Sequence, residues 1–188
     1  MDKKIFTPQE AFNYCQGAGA TIVGLSNINV SENFTWAEVF TNRTILQAKQ
    51  AGLRIFQNAK IQADLLEEVR QHLRNKMGAG VVMKVTSWYR PPAVNSAIKG
   101  AAKGSMHLQA LATDFIVPGF GDVAGNRLVQ ALLIPVKDEF GFCLEITNGK
   151  WTHVDNRQSH IVFENKGNGS YPVWGLAHMK AFVRAYGG

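Results

Sequence analysis

The clearest pattern in the chain is an amphipathic segment between Lys60 and Met77. Apolar residues recur there at helical spacing, and charged or amide side chains occupy the opposite face. Asn58 can cap the start of this helix, and Gly78 and Gly80 can end it. The segment therefore predicts an amphipathic helix, and its apolar positions are Ile61, Leu65, Leu66, Val69, Leu73 and Met77.

Shorter helices are predicted on both sides of this segment. One extends from Pro8 to Gln16, near the N-terminus. Asp122 can cap a second one that ends near Leu133. A third, over 174–186, repeats apolar residues at helical spacing and is expected to pack on the body of the protein.

Extended runs of β-branched and apolar residues predict strands over 81–88, 112–117, 140–146 and 151–155. The last two are joined by Thr-Asn-Gly-Lys at 147–150, and Asn-Gly between two extended runs is a strong hairpin signal. Strands that alternate unevenly with helices predict an α+β fold, with an antiparallel sheet flanked by helices.

The length of 188 residues suits one domain with its own core. Hydrophobic residues make up 46% and charged residues 18%, which excludes gross disorder. No apolar run approaches the roughly 20 residues that span a bilayer, so membrane insertion is not expected. We expect a monomer with an N-terminal extension over 1–32 and a single domain over 33–188.

The N-terminus and the cysteines indicate where the chain is made. Lys3 and Lys4 are not followed by an apolar stretch, so no secretory signal is predicted and the chain is expected to be cytoplasmic as synthesised. Cys15 and Cys143 form no CxxC pair and no disulfide framework. Both are therefore expected to be free thiols in a reducing compartment.

The net charge of +6 favours an anionic partner, which could be nucleic acid, a membrane face or an anionic cell wall. The lysines and arginines are scattered, however, and no block of five or more basic residues occurs. No nucleic-acid-binding motif accompanies them, so a nucleic-acid partner is not expected.

Candidate chemistry is concentrated in two histidines and an aspartate. His107 and Asp114 are seven residues apart, and His153 lies on a predicted strand beside aromatic residues. Two imidazoles and one carboxylate, with a position left for water, are typical of catalytic zinc sites. The triple alone is weak, because any chain with five histidines contains a similar one and a single histidine is more often a plain surface or core residue.

Three longer motifs surround these residues. They are Ser-Trp-Tyr-Arg-Pro-Pro-Ala-Val-Asn at 87–95, Lys-Gly-Ser-Met-His at 103–107 with its aspartate seven residues on, and Trp-Thr-His-Val-Asp at 151–155. In this order they resemble the zinc D-Ala-D-Ala carboxypeptidase family, which includes phage L-alanyl-D-glutamate endopeptidases and shares its fold with the Hedgehog signalling domain. The resemblance covers Asn33 to Asp155. It implies a Hedgehog/DD-peptidase-like fold and hydrolysis of peptidoglycan peptides.

The resemblance also implies roles for individual residues. His107, Asp114 and His153 match the zinc ligands, so Zn²⁺ is the expected cofactor. Arg90 and Ser105 match residues that contact the substrate, and Arg90 is placed to bind a peptide carbonyl or carboxylate.

The resemblance implies that the general base comes from the strand before the last histidine ligand. Glu145 occupies that strand and lies across the predicted hairpin from Thr152 and His153, where cross-strand Cβ atoms are about 4.5–5.5 Å apart. A solvent-facing glutamate is the alternative. Trp151 can line a substrate groove, although core packing is the commoner fate of tryptophan. Asp155 is expected to orient a ligand rather than to bind zinc.

Two positions depart from the family pattern. Ala110 stands where glycine is usual, which strains the backbone if φ is positive there. Trp88 stands where glycine is usual before Tyr-Arg, and would narrow the cleft if its side chain faced the substrate.

Two functions remain open at this point. The first is a zinc peptidase, either a carboxypeptidase or an endopeptidase, that reaches the cell wall after release, as an endolysin does, or as part of a virion. The second is a non-catalytic protein of the same fold, stabilised by zinc, that binds the cell wall or has a structural role. The presence of all three ligand residues and of Glu145 favours the enzyme.

Overall fold

The computed structural model describes residues 4–41, 44–147, 149, 151–166 and 170–187. Within these ranges helices and strands alternate unevenly, in the chain order that follows. They are β1 (Lys4–Ile5), α1 (Pro8–Gln16), α2 (Ile22–Ser26), β2 (Ile28–Asn29), α3 (Trp36–Val39), α4 (Ile45–Gln50), α5 (Leu53–Met77), β3 (Lys84–Ser87), α6 (Pro92–Ala97), β4 (Ala112–Ile116), α7 (Val123–Leu133), α8 (Lys137–Phe140), β5 (Cys143–Ile146), β6 (Thr152–Asp155), β7 (Val162–Glu164) and α9 (Leu176–Tyr186), with short 3-10 helices at Met106–Gln109 and Ile134–Val136.

The main sheet has the strand order β3-β4-β6-β5-β7. The predicted α+β class and the β5–β6 hairpin are confirmed, although Asn148 and Lys150 of the predicted turn lie outside the described residues. The sheet is mixed rather than wholly antiparallel, because β7 pairs parallel with β5. β7 follows β6 in the chain, pairs with the side of β5 that faces away from β6, and runs in the same direction as β5. With only three residues, β7 carries too short a pattern for the sequence to reveal it.

The long helix α5 begins at Leu53, seven residues before the predicted start, and ends before Gly78 as expected. Phe56 and Ala59 are buried and extend its apolar face toward the N-terminus. Asn58 therefore lies inside the helix, where its side chain donates to the carbonyl oxygen of Gln109 at 2.8 Å instead of capping the helix.

In the described part of the N-terminal segment, residues 4–32, helix α1 packs on the rest of the molecule. Thr7 and Glu10 form a reciprocal capping box at the start of α1. From α1, Ala11 and Cys15 are buried in the same hydrophobic core as α5. Both cysteines are free and buried, as predicted.

The two faces of the main sheet have different surroundings. One face carries Thr113, Leu144, Val154 and Val162, which are all buried. On this side Gln62 of α5 donates to the carbonyl oxygen of Val154 at 3.3 Å. The opposite face lines a cleft. In the described part of the chain no helix is long and apolar enough to cross a membrane.

Candidate metal centre and active-site cleft

A row of side chains crosses the sheet on its cleft face. The strand register aligns one residue from each of β3, β4, β6, β5 and β7. Because paired residues of neighbouring strands point to the same face, these side chains lie next to one another. In spatial order they are Ser87, Asp114, His153, Glu145 and Phe163, and all five line one cleft of about 540 Å³.

His107 reaches this row from outside the sheet. It lies in the 3-10 helix Met106–Gln109, whose N-terminus is capped by the Ser105 hydroxyl, which accepts from the His107 backbone N–H at 3.4 Å. The His107 carbonyl oxygen accepts from the Arg90 backbone N–H at 3.0 Å. This backbone contact joins the segments that carry the first two sequence motifs, so Arg90 and His107 enter the cleft side by side.

Three potential ligand atoms converge in the cleft. Nε2 of His107 lies 3.3 Å from Oδ1 of Asp114 and 3.2 Å from Nδ1 of His153, and Nδ1 of His153 lies 2.7 Å from the same Oδ1. Ligands of a tetrahedral zinc ion with bonds of about 2.0–2.1 Å lie about 3.3 Å apart. His107, Asp114 and His153 therefore form a cluster that can bind a metal ion.

The outward nitrogen of each histidine also has an oxygen partner. Nδ1 of His107 lies 2.6 Å from the carbonyl oxygen of Trp88, and Nε2 of His153 lies 3.2 Å from Oδ2 of Asp155. Since a carbonyl oxygen only accepts, Nδ1 of His107 carries the proton and Nε2 offers its lone pair to the cleft. Asp155 is fully buried and is held by a bidentate contact with Arg157 at 2.6 and 2.7 Å. Its position fits the expected orienting role.

The electrostatics of the cluster favour a cation. Burial lowers the pKa of His107, and Asp114 only partly offsets this effect. Burial also opposes the charge on Asp114, but the two imidazoles hold the pKa of this carboxyl well below its usual range. For His153 the effect of burial is outweighed by hydrogen bonds to Asp114 and Asp155, which raise its pKa to about 10. The centre of the cluster thus favours one positive charge, as a metal ion would supply.

Arg90 lies beside the cluster and is mostly buried. Its Nη2 donates to Oδ2 of Asp114 at 3.0 Å, so the same carboxylate faces the ligand cluster with one oxygen and the guanidinium with the other. Its Nε is buried and has no hydrogen-bond partner among the described residues. A buried donor without a partner is unfavourable unless a ligand supplies an acceptor.

Glu145 and Trp151 both line the cleft. Glu145 is the register partner of His153, and its Oε1 accepts from Nδ2 of Asn165 at 2.9 Å. The predicted cross-strand neighbourhood of Glu145 and His153 is therefore present. Trp151 is 41% exposed at the rim of the cleft, and Ser105 lines the wall beside His107.

Trp88 and Ala110, the two residues that depart from the family pattern, contact each other. Trp88 is fully buried and packs on Phe34, so it does not narrow the cleft. The indole N–H of Trp88 donates to the carbonyl oxygen of Ala110 at 3.0 Å. Ala110 has φ of 58°, the left-handed conformation that normally favours glycine. Trp88 thus stabilises the strained turn that follows His107.

The cleft wall formed by Ile161, Phe163, Asn165 and Tyr171 was not predicted from the sequence. Asn165 and Tyr171 belong to this wall, and the Tyr171 hydroxyl donates across the cleft to the carbonyl oxygen of Gly100 at 3.0 Å. Neither residue stands in a recognisable motif, and contacts across 71 residues of chain leave no local pattern.

Comparison with known proteins agrees with this geometry. The family model described as Peptidase M15 matches residues 33–157, which include the three ligand residues, Arg90 and Glu145. No curated protein and no solved structure matches the chain.

Proposed function

The chain belongs to the Peptidase M15 family, and on this basis we propose that it is a zinc-dependent peptidase that hydrolyses the stem or cross-link peptides of peptidoglycan. The observation that carries the proposal is the convergence of Nε2 of His107, Oδ1 of Asp114 and Nδ1 of His153. Imidazole nitrogen and carboxylate oxygen are ligands that suit zinc, and three protein ligands leave a fourth position open. The chemistry that a zinc ion supplies there is Lewis acidity toward water and the scissile carbonyl.

Glu145 is the general base in this proposal. One of its oxygens is bound by Asn165, and Oε2 has no hydrogen-bond partner among the described residues. Oε2 accepts a proton from the attacking water and returns it to the nitrogen of the departing amine. The pairing of Glu145 with His153, and the position of both residues in the lining of one cleft, support this assignment.

Arg90 binds the substrate carbonyl and stabilises the oxyanion that develops on it. The buried Nε of Arg90, which has no hydrogen-bond partner among the described residues, is the proposed donor to this carbonyl. The bond from Nη2 of Arg90 to Asp114 orients the guanidinium. Ser105 and Trp151, which both line the cleft, are the other proposed substrate contacts.

The substrate in this proposal is anionic and lies outside the cell that makes the enzyme. Three cations, Arg90, Lys99 and Arg157, line the cleft, and the whole chain carries a net charge of +6. Such charge attracts an anionic cell wall and peptides that carry free carboxylates. An enzyme released by a lysis system, or carried in a virion, would reach this substrate.

Digestion of purified peptidoglycan tests the proposal. Sacculi are incubated with zinc-loaded wild type, with His153→Ala and with buffer. A muramidase then cuts the glycan strands of each sample, and the soluble muropeptides are identified by mass spectrometry. We expect new fragments only with the wild type. Loss of a terminal D-Ala would indicate a carboxypeptidase, and a cut within the stem or cross-link an endopeptidase. Identical muropeptides in all three samples would contradict the proposal.

A further inference from the structure

We propose that Asn165 is a positioning residue that holds the carboxylate of Glu145 in its working orientation. The inference rests on the proposed function, because it concerns the group assigned there as the general base. Asn165 follows β7 directly and lies eight residues beyond the segment that the family model matches. Its role is therefore not part of the family assignment.

Asn165 is attached to the strand of Glu145 at two points. Its backbone N–H donates to the carbonyl oxygen of Ile146 at 3.2 Å. Its side-chain Nδ2 donates to Oε1 of Glu145 at 2.9 Å. Since the main-chain bond fixes the residue relative to β5, the amide reaches the carboxylate from a defined direction. Glu145 is thereby restricted in its side-chain rotation.

The charges around Glu145 explain why a neutral donor is needed. Arg90 and Arg157 both line the cleft, and each interacts electrostatically with Glu145. A glutamate free to rotate would be drawn into an ion pair with one of these guanidinium groups, and its oxygens would then be occupied. The Asn165 amide occupies Oε1 alone and leaves Oε2 available for the proton of the water.

Side-chain NMR tests the contact independently of activity. Asn165→Asp, of nearly equal size, identifies the carboxamide signals of Asn165 by their loss. In Glu145→Ala these signals should move upfield, because a hydrogen bond to a carboxylate is removed. Unchanged Asn165 signals in Glu145→Ala would show that the contact is absent in solution and would overturn the proposal.

A double-mutant cycle tests the role. Asn165→Ala should lower kcat about 10–100-fold with little change in KM or metal content, as found for groups that orient a functional residue. The kcat of Asn165→Asp should fall as far, because aspartate keeps the shape of asparagine but lacks the Nδ2 donor. In the Glu145→Ala background, Asn165→Ala should cause no further loss. Asn75→Ala, on the exposed side of α5, is the matched control and should match wild type.

The outcomes separate the two proposals. If Glu145→Ala retains the wild-type kcat, the base assignment under the proposed function fails and the positioning role fails with it. If Glu145→Ala is impaired but Asn165→Ala is not, only the positioning role fails. Equal losses from Asn165→Ala with and without Glu145 would identify a merely structural residue and would also overturn the inference.

Discussion

The two walls of the cleft are built in different ways. The ligand wall lies at the centre of the sheet and in the 3-10 helix beside it, within the family match, and consists of His107, Asp114 and His153. The outer wall lies at the edge of the sheet, beyond that match, and consists of Ile161, Phe163, Asn165 and Tyr171. Each histidine of the ligand wall has partners on both ring nitrogens. The outer wall is built on the three-residue strand β7, and among its described contacts are the bonds from Asn165 to Glu145 and from Tyr171 to Gly100. In the proposed function, the centre of the sheet therefore holds the metal ion and the edge contributes to substrate binding.

The largest effect should come from removing a ligand. In His153→Ala the cluster keeps one imidazole and one carboxylate, too few for a stable zinc site. We expect metal content near zero and cleavage below detection, measured by elemental analysis and by the muropeptide assay. A variant that kept the metal content of the wild type would show that His153 is not a ligand.

Asp155→Asn should weaken metal binding without abolishing it. Among the three ligand residues Asp155 contacts His153, through the outward nitrogen, and loss of such a partner typically lowers metal affinity about 10–100-fold. Competition with a chelator of known affinity measures the change. If the outer wall is independent of the metal, Tyr171→Phe in the same titration should bind as the wild type does. Equal affinity of Asp155→Asn and wild type would contradict the support that we assign to Asp155.

Two tryptophans should differ in their contribution to the free energy of unfolding, since Trp88 is fully buried and Trp151 is exposed at the rim of the cleft. Trp88→Phe leaves the buried carbonyl of Ala110 without its donor, which costs about 1–3 kcal/mol, with a further loss from the smaller ring. Trp151→Phe, at the exposed rim, should change the free energy of unfolding by less than about 0.5 kcal/mol. Denaturant titration of both variants measures these values. Similar losses would mean that the turn after His107 does not depend on Trp88.

The smallest effect on activity is expected at Tyr171 of the outer wall. Tyr171→Phe removes the hydroxyl that donates to Gly100, a bond whose net contribution is about 0.5–1.5 kcal/mol. We expect KM to rise about 2–10-fold with metal content unchanged, measured on a purified muropeptide. Tyr14→Phe, remote from the cleft, is the control. A fall in metal content would show that the two walls are not independent.

The ligand wall could be predicted from the sequence because its residues stand in short motifs with fixed spacing. The β5–β6 hairpin was predicted but its register was not, because a two-residue Asn-Gly loop would pair Glu145 with Thr152, whereas Glu145 pairs with His153. The outer wall could not be predicted, because Asn165 and Tyr171 act through contacts with residues 20 and 71 positions away. The position of Trp88 stayed open in the sequence for a related reason, since the partner of its indole N–H, the carbonyl oxygen of Ala110, lies 22 residues away.

The central claim is that the cleft is catalytic and not only a metal-binding site. Glu145→Gln is nearly isosteric and leaves His107, Asp114 and His153 in place. We predict that this variant binds as much zinc as the wild type, with a similar melting temperature, and that muropeptide release falls about 10²–10⁴-fold. Cleavage at the wild-type rate by zinc-loaded Glu145→Gln would contradict the assignment of the base. If the zinc-loaded wild type itself released nothing, the chain would instead be a zinc-stabilised binding protein.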